Sequence, residues 1–425
     1  MKTMKWALLA GAAVAVTATA ARADDLGALK AQIEALQSRV SQLEAQPQAS
    51  LPSGYSLLSI RDGQANFEGA TPERASDRIR DNSGFTLSVV PTADAAPAAE
   101  VSVSGEIRTA LLYTDFQDDD NADLNIRARL FIRGKADTAV GEVGGYFRLQ
   151  ANGGGDFDDY SENVKANKAY GWWKFAPEWE LMAGYNDNTA ALQTSWDWLA
   201  ATGPTNTFGM ANPSNEQIRL TYSSGPLSFA IALEDADSGI EWTGNWQNGV
   251  VADASADKSD IPAVQSYLMY STDAFTAQIV GLYQDDTLGD DADWAIGGGA
   301  ALNITDGLQL LGAAVYGEGT SAYAGNLAPI TTDETFWAGS VGVLANLSDD
   351  TRLELGVGYE DYDEAGQALG FGGGVYWDPV SQVTLGVGAT YIDFKDAAVV
   401  DGNDLDVIGN EDSLQVFFGT WLRFP

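Results

Sequence analysis

The 425-residue sequence contains no cysteine and no histidine. Without cysteine there can be neither disulfides nor thiolate metal sites, so stability must come from backbone hydrogen bonds and packing. Without histidine the sequence lacks the commonest general base, the commonest metal ligand and every Ser-His-Asp or Cys-His arrangement. Carboxylate-only chemistry stays formally open, because 60 Asp and Glu residues supply many chance pairs. We therefore expect a protein that is not an enzyme and that holds neither a metal ion nor a cofactor.

Basic residues are scarce as well. The 23 Lys and Arg against 60 Asp and Glu give a formal net charge of −37, and the first 23 residues hold three of these basic residues and no acidic ones. A chain without that segment therefore carries a charge of −40. Such an excess of negative charge disfavours nucleic acid as a partner.

Residues 1–23 have the pattern of a secretory signal peptide, in which two lysines precede an apolar run over residues 6–20. The tripeptide Ala21-Arg22-Ala23 then has the form of a cleavage site. A membrane anchor is the alternative, but the run is shorter than the ~20 residues of a spanning helix. Exported chains without a spanning helix are soluble proteins or outer-membrane barrels, because only helices and closed barrels satisfy their backbone in lipid.

Residues 24–46 are expected to form a short periplasmic coiled coil. Apolar residues recur there at alternating steps of three and four, the spacing of the a and d positions of a heptad. They are Leu26, Leu29, Ile33, Leu36, Val40 and Leu43. One amphipathic helix packed on its own domain is the alternative, yet no other helical pattern offers it a partner. The segment therefore predicts self-association, and the number of helices stays open.

Residues 47–99 are rich in Pro, Gly, Ser and Ala, which is a linker composition. Within them FTLSVV, at residues 85–90, can form a short strand. The sequence leaves open whether this region is a flexible linker or a small plug or collar.

From residue 100 onward apolar and polar residues alternate with a period of two, as in VSVSGEIRTALLY. We expect about sixteen strands, near residues 101–116, 124–136, 140–151, 165–175, 179–185, 216–224, 226–234, 264–271, 275–283, 293–304, 308–318, 334–346, 351–362, 369–377, 382–394 and 413–424. Short turns and longer loops alternate strictly between them, which is typical of transmembrane barrels and has no cause in a soluble sandwich. The predicted fold is all-β: a transmembrane antiparallel β-barrel over residues 100–425, preceded by the short coiled-coil helix.

Positive charge concentrates in the first four predicted strands. If the apolar face of each strand contacts lipid, arginines at alternating positions must face the water-filled lumen. The candidate pore-lining basic cluster is Arg108, Arg127, Arg129, Arg133, Lys135, Arg148, Lys168 and Arg219. Solvated surface charges are the alternative interpretation.

The connection at residues 186–216 is longer than most loops and contains Asp187, Trp196, Asp197 and Trp198. A loop of this length can fold into the barrel, narrow it and set acidic groups opposite the basic cluster. We predict that it forms the constriction. The alternative is a loop that only covers the outer mouth.

The sequence resembles the sixteen-stranded trimeric general porins of Gram-negative bacteria, particularly alphaproteobacterial members with an N-terminal coiled coil. The segments that carry the resemblance are VSVSGEIRTALLY, KAYGWWKFAPEWELMAGYNDN, QIRLTYSS and VFFGTWLRF. The resemblance implies a homotrimer in the outer membrane, in contact with lipid and lipopolysaccharide, through which small polar solutes and ions diffuse. It also implies that the long loop faces the basic cluster. One departure is Pro425, which follows Phe424, because family members usually end in Phe.

Two other functions remain compatible with a barrel. One is a substrate-selective channel for carbohydrates or anions, and the other is a structural protein that tethers the envelope through its coiled coil. The acidic loops lack regular calcium-loop spacing, so no defined metal site is expected.

Overall fold

The computed structural model describes residues 57–62, 85–90, 98–116, 119–153, 164–194, 214–235, 261–284, 292–319, 327, 334–401 and 404–424. All of them except Leu57 belong to one compact unit, Leu58–Val90 with Ala96–Pro425. The expected signal peptide and coiled coil lie outside the described residues, as do Trp196, Asp197 and Trp198. The described residues contain no helix that is long and apolar enough to cross a membrane.

The described residues form twenty β-strands. They are β1 (Leu57–Asp62), β2 (Phe85–Val90), β3 (Ala99–Phe116), β4 (Asp119–Thr138), β5 (Gly141–Gly153), β6 (Val164–Ala176), β7 (Trp179–Asp187), β8 (Ser214–Ser224), β9 (Leu227–Glu234), β10 (Ala263–Ser271), β11 (Phe275–Gln284), β12 (Asp293–Thr305), β13 (Leu308–Glu318), β14 (Thr335–Asn346), β15 (Thr351–Tyr362), β16 (Gly366–Val380), β17 (Val383–Lys395), β18 (Ala397–Asp401), β19 (Asp404–Gly409) and β20 (Asp412–Phe424).

Sixteen of these strands close into one antiparallel barrel. Each strand from β3 to β16 pairs with the next one along the chain, and β20 pairs with both β17 and β3. Closure removes the free strand edges, so the backbone groups of the wall find their partners within the chain. The sixteen strands expected from the sequence are confirmed. The strands β18 and β19 form a separate hairpin in the last connection.

Short turns lie on one rim of the barrel, which is the periplasmic rim in transmembrane barrels. The residues at these positions favour turns. Gly225, between β8 and β9, adopts a φ of 56°, a conformation that glycine reaches without strain. Between β14 and β15, the Asp350 carboxylate accepts hydrogen bonds from Ser348 (2.7 Å), Thr351 (3.1 Å) and Trp377 (3.1 Å). These bonds hold the pKa of Asp350 below its usual value.

The expectation that short and long connections alternate strictly is wrong at two places on the opposite rim. Only residues 117–118 separate β3 from β4, and only residues 363–365 separate β15 from β16. The reason is that both pairs of strands stay paired to their ends: β3 and β4 out to Phe116 and Asp119, and β15 and β16 out to Tyr362 and Gly366. Most of the acidic stretch DFQDDDNAD at residues 115–123, much of which the predicted strands 101–116 and 124–136 leave as an external loop, is therefore part of the strands themselves.

Apolar side chains lie on the outside of this barrel and polar ones on the inside, which is the reverse of the distribution in a soluble protein. On the outer face of β3, Ile107 and Leu111 are 40% and 52% exposed, whereas Glu106 and Arg108 on the inner face are 1% and 2% exposed. A soluble barrel would place its apolar face inside, where these side chains would have to fill the interior. An apolar outside and a polar inside are what a lipid environment requires.

Aromatic side chains form two belts on the outer face. Ring pairs near the rim with the longer loops are Trp294–Tyr316 (5.6 Å between centroids) and Trp337–Tyr359 (4.8 Å). Ring pairs near the rim with the short turns are Trp173–Phe175 (5.3 Å), Trp179–Tyr222 (5.0 Å) and Tyr270–Phe275 (5.6 Å). Such belts mark the two levels at which a transmembrane barrel meets the lipid headgroups.

The strand β2 continues the edge of β3 beyond the end of β20. Phe424 of β20 pairs with Gly105, and Phe85 of β2 pairs with Val103 on the same edge of β3. The expected short strand FTLSVV is thereby confirmed, and β1 pairs with its other edge. The Glu100 carboxylate ties these strands together, because it accepts hydrogen bonds from Ser88 and Arg61, both at 3.0 Å. These strands belong to residues 47–99, for which the sequence left linker, plug and collar open.

The barrel seam is the junction at which β3 pairs with β20 and, beyond the end of β20, with β2. We predict that Leu87→Pro weakens the periplasmic end of this seam. Because β2 has a neighbouring strand on each side, proline must remove a ladder hydrogen bond. The free energy of unfolding should fall by about 1–3 kcal/mol, measured in urea through loss of heat-modifiable migration. Leu87→Ala keeps the backbone bond and is the control, so equal losses in both variants would show that the pairing of β2 contributes nothing.

Candidate functional site

Seven of the eight basic residues predicted from sequence lie together on the inner wall. In the register of the barrel Arg108 stands beside Arg127, and Arg129 stands beside Glu106. Lys168 is the neighbour of Arg148 on the next strand. Arg219, also inward-facing, is set apart on β8 beside Met182. The strands β3 to β6 therefore present one continuous basic wall.

Glu106 organises the part of this wall at the barrel seam. Its carboxylate lies 3.1 Å from Arg108 and 3.6 Å from Arg129, and it accepts a hydrogen bond of 2.7 Å from Trp421 Nε1. The Arg108 guanidinium lies 3.5 Å from the centre of the Trp421 ring. A buried carboxylate among several guanidinium groups fixes their positions and offsets part of their mutual repulsion. Sequence reasoning missed Glu106 and Trp421, although Glu106 shares the polar face of β3.

Asp187 is the last residue of β7 and contacts the basic wall directly. Its carboxylate forms an ion pair of 2.5 Å with Lys168 and accepts a hydrogen bond of 3.0 Å from Ser214. Its backbone carbonyl accepts a further bond of 2.7 Å from Arg219. Asp187 therefore lies on the wall beside two members of the basic cluster, rather than across the lumen from them.

An aromatic cluster covers the wall nearer the periplasmic rim. The rings of Tyr146 and Tyr170 are 5.3 Å apart, those of Tyr170 and Trp172 are 6.3 Å apart, and Arg133 lies 5.0 Å from the Tyr146 ring. Glu142 accepts hydrogen bonds of 3.1 Å from both Trp172 and Lys135. The pairing of β5 with β6 places Trp172 on the inner face and Trp173 on the outer face.

The described start of the segment after β7 lies against the inner wall of the barrel. Residues 188–194 contact the inner faces of successive strands, beginning at β8 and ending at Gly297 and Gly299 of β12. Six of the seven residues are buried, and Ala190 is fully so. The strand β12 is eight strands from β4, which is half of the sixteen-strand circumference. Residues 195–213 lie outside the described part of the chain.

The inner wall is strongly asymmetric. Opposite the basic residues, the inner faces of β12 to β14 carry mainly small and apolar side chains, among them Ala295, Val315, Ala313, Phe336 and Ala338. No group of three acidic side chains placed to hold a metal ion occurs within the described residues. A solute in the lumen thus meets a basic wall on one side and, on β12 to β14, mainly small and apolar side chains that residues 188–194 partly cover.

Comparison with known proteins agrees with this geometry. Residues 99–415 match the porin subfamily over most of the chain. The chain belongs to the porin subfamily. It is an outer-membrane channel of the Gram-negative type, and the polar lumen of this porin is the path for small hydrophilic solutes and ions. No curated protein matches its sequence.

Solved barrels are similar to this porin in fold but distant in sequence. The outer-membrane channel DcaP of Acinetobacter baumannii is 18% identical, with a TM-score of 0.57 over 76% of this chain and 97% of that one. The anion-selective porin from Comamonas acidovorans is 16% identical, with a TM-score of 0.57 over 77% and 100%. Salmonella typhi OmpF in complex with daunomycin is 13% identical, with a TM-score of 0.55 over 77% and 98%.

Replacing Arg127, Arg129 and Arg133 together by alanine should shift the ion selectivity of this porin toward cations. The lumen would lose three positive charges while the carboxylates of the chain stay in place. The barrel should still form, because lumen positions tolerate substitution better than lipid-facing ones. The measurement is the reversal potential in a salt gradient. The corresponding triple lysine variant keeps the charge and should match the wild type, and an unchanged potential in the alanine variant would place these arginines outside the conducting path.

Proposed function

We propose that this porin is a general-diffusion channel whose narrowest section lies between the basic wall of β3 to β6 and the 186–216 segment. The observation that carries the proposal is the path of residues 188–194, which lie inside the barrel and reach β12. A loop that only covered the mouth would not contact the inner faces of five successive strands. Trp196, Asp197 and Trp198 come directly after these residues in the sequence.

The charge distribution supports a constriction with a transverse field. The basic wall is fixed by Glu106, Trp421 and Asp187, so its charges keep their positions during passage of a solute. Asp197 belongs to the segment whose described part runs from β7 to β12, and we infer that its carboxylate faces the basic wall. Opposed charges across a narrow, water-filled section orient dipolar solutes and disfavour apolar ones. Selection in such a channel is by size and polarity.

Shortening the 186–216 segment by about ten residues around 196–198 should raise single-channel conductance and admit larger sugars. Removing part of a loop that occupies the narrowest section widens that section. Planar-bilayer recording and liposome swelling with sugars of increasing size measure the two effects.

The long connection at 235–261 offers a matched control, because shortening it should change conductance little. Equal changes from the two deletions, or no change from the first, would leave the 186–216 segment as an outer cover.

The assembly that we propose is a homotrimer held in outer-membrane lipid and lipopolysaccharide. The outer faces of β4, β5 and β6, as described, carry no Tyr or Trp near the rim with the longer loops, although Tyr113 on β3 and the ring pairs of β12 to β15 occupy that level. A gap in the aromatic belt suits contact with protein better than contact with lipid headgroups. The predicted coiled coil would join the three chains on the periplasmic side through its apolar positions, which are Leu26, Leu29, Ile33, Leu36, Val40 and Leu43.

Deleting residues 26–44 should weaken the trimer and leave the barrel intact, because the deleted residues precede every strand of the wall. Light scattering of the detergent-purified protein measures the oligomer, and heat-modifiable migration reports the barrel. A deletion variant that forms no barrel would show that the segment is part of the fold and not a tether.

A further inference from the structure

We propose that Gln217, Glu234, Gln265 and Gln278 are positioning residues that hold the start of the 186–216 segment against the wall of the lumen. The inference rests on the proposed function in so far as this segment narrows the channel. These four side chains come from β8, β9, β10 and β11, one from each successive strand. All of them are buried on the inner face. They define an anchoring row.

Each member of the anchoring row bonds a different part of the segment. The Glu234 carboxylate accepts a hydrogen bond of 2.7 Å from the backbone N–H of Thr189, whose side chain lies 3.4 Å from Gln217 Oε1. Gln217 Nε2 also donates to the carbonyls of Asn186 (3.0 Å) and Asp187 (2.9 Å).

Farther along, Gln265 Oε1 accepts from the N–H of Ala190 at 3.0 Å. Gln278 makes two bonds: its Oε1 accepts from the N–H of Gln193 at 2.9 Å, and its Nε2 donates to the carbonyl of Ala191 at 2.6 Å. Successive strands from β8 to β11 thus bond successive residues of the segment.

The need for these side chains follows from closure of the barrel. The backbone groups of β8 to β11 already pair with neighbouring strands, so they cannot bond a chain that crosses over them. The buried N–H and carbonyl groups of the segment must still find partners. Glutamine suits the task because its amide both donates and accepts, as a backbone peptide group does.

Two glycines complete the contact surface on β12. A Cβ atom at Gly297 would lie 3.1 Å from Leu192 Cδ1, and one at Gly299 would lie 2.2 Å from Thr194 Oγ1. The missing side chains therefore leave room for the segment to approach the wall closely. Thr194 itself is 2% exposed, and none of the described residues forms a hydrogen bond with its hydroxyl.

The absence of native cysteine makes a direct test possible. Thr194→Cys places one thiol on the anchored segment itself, on the side that faces Gly299 of β12, where a membrane-impermeant maleimide should react slowly. Adding Gln278→Leu removes two hydrogen bonds and should accelerate labelling about tenfold, because the segment then leaves the wall more often. The rate is measured on the full-length, detergent-purified protein whose barrel is verified by heat-modifiable migration.

Gln284→Leu is the matched control. Gln284 lies on the same strand and the same inner face, but it donates to Asp293 at 2.9 Å and to none of the segment's described residues. Labelling of its Thr194→Cys variant should stay unchanged. No acceleration by Gln278→Leu, or equal acceleration by both, would overturn the proposal, and Gln265→Leu carries the same test if Gln278→Leu gives no barrel. Labelling does not depend on conduction, so a firmly held segment whose shortening leaves conductance unchanged would refute the constriction and leave the anchoring row standing.

Discussion

The constraint on which the rest of this structure depends is that every backbone N–H and carbonyl within a membrane must find its partner in the protein. Closure of β20 onto β3 meets this constraint for the whole wall. Closure also divides each strand into a lipid side and a lumen side, so the apolar half of the sequence lies outside. The net charge of −37 can then coexist with residence in a membrane, because the charged side chains point into water.

The barrel seam serves the lumen as well as the fold. Glu106 and Arg108 of β3 meet Trp421 of β20 across it, through a hydrogen bond and a contact between guanidinium and ring. The same seam continues toward the periplasm, where β2 takes over the edge of β3 from β20. Closure of the barrel and placement of the basic wall are therefore the result of one set of contacts, and a change at the seam affects both.

The saturation of the wall also explains why a loop inside the lumen needs dedicated side chains. Residues 188–194 cannot join the ladder, so amide and carboxylate groups of the anchoring row replace the backbone partners that a strand would have. Gly297 and Gly299 of β12 carry no side chains, so Leu192 and Thr194 can lie close to the wall at this point.

The sequence by itself determined the sixteen strands, the alternation of inward and outward side chains and the basic character of β3 to β6, because alternation with a period of two is a local property of the chain. It also predicted the short strand at 85–90. It could not show that β3 and β4 continue through the acidic stretch, since charged residues are compatible with strand or loop outside the membrane. Only the tertiary structure decided which residues meet across the barrel: Trp421 with Glu106, Asp187 with Lys168, and Gln278 with residues 191 and 193. These contacts join residues far apart in the chain, and their geometry exists only once the strand order and the register have closed the barrel.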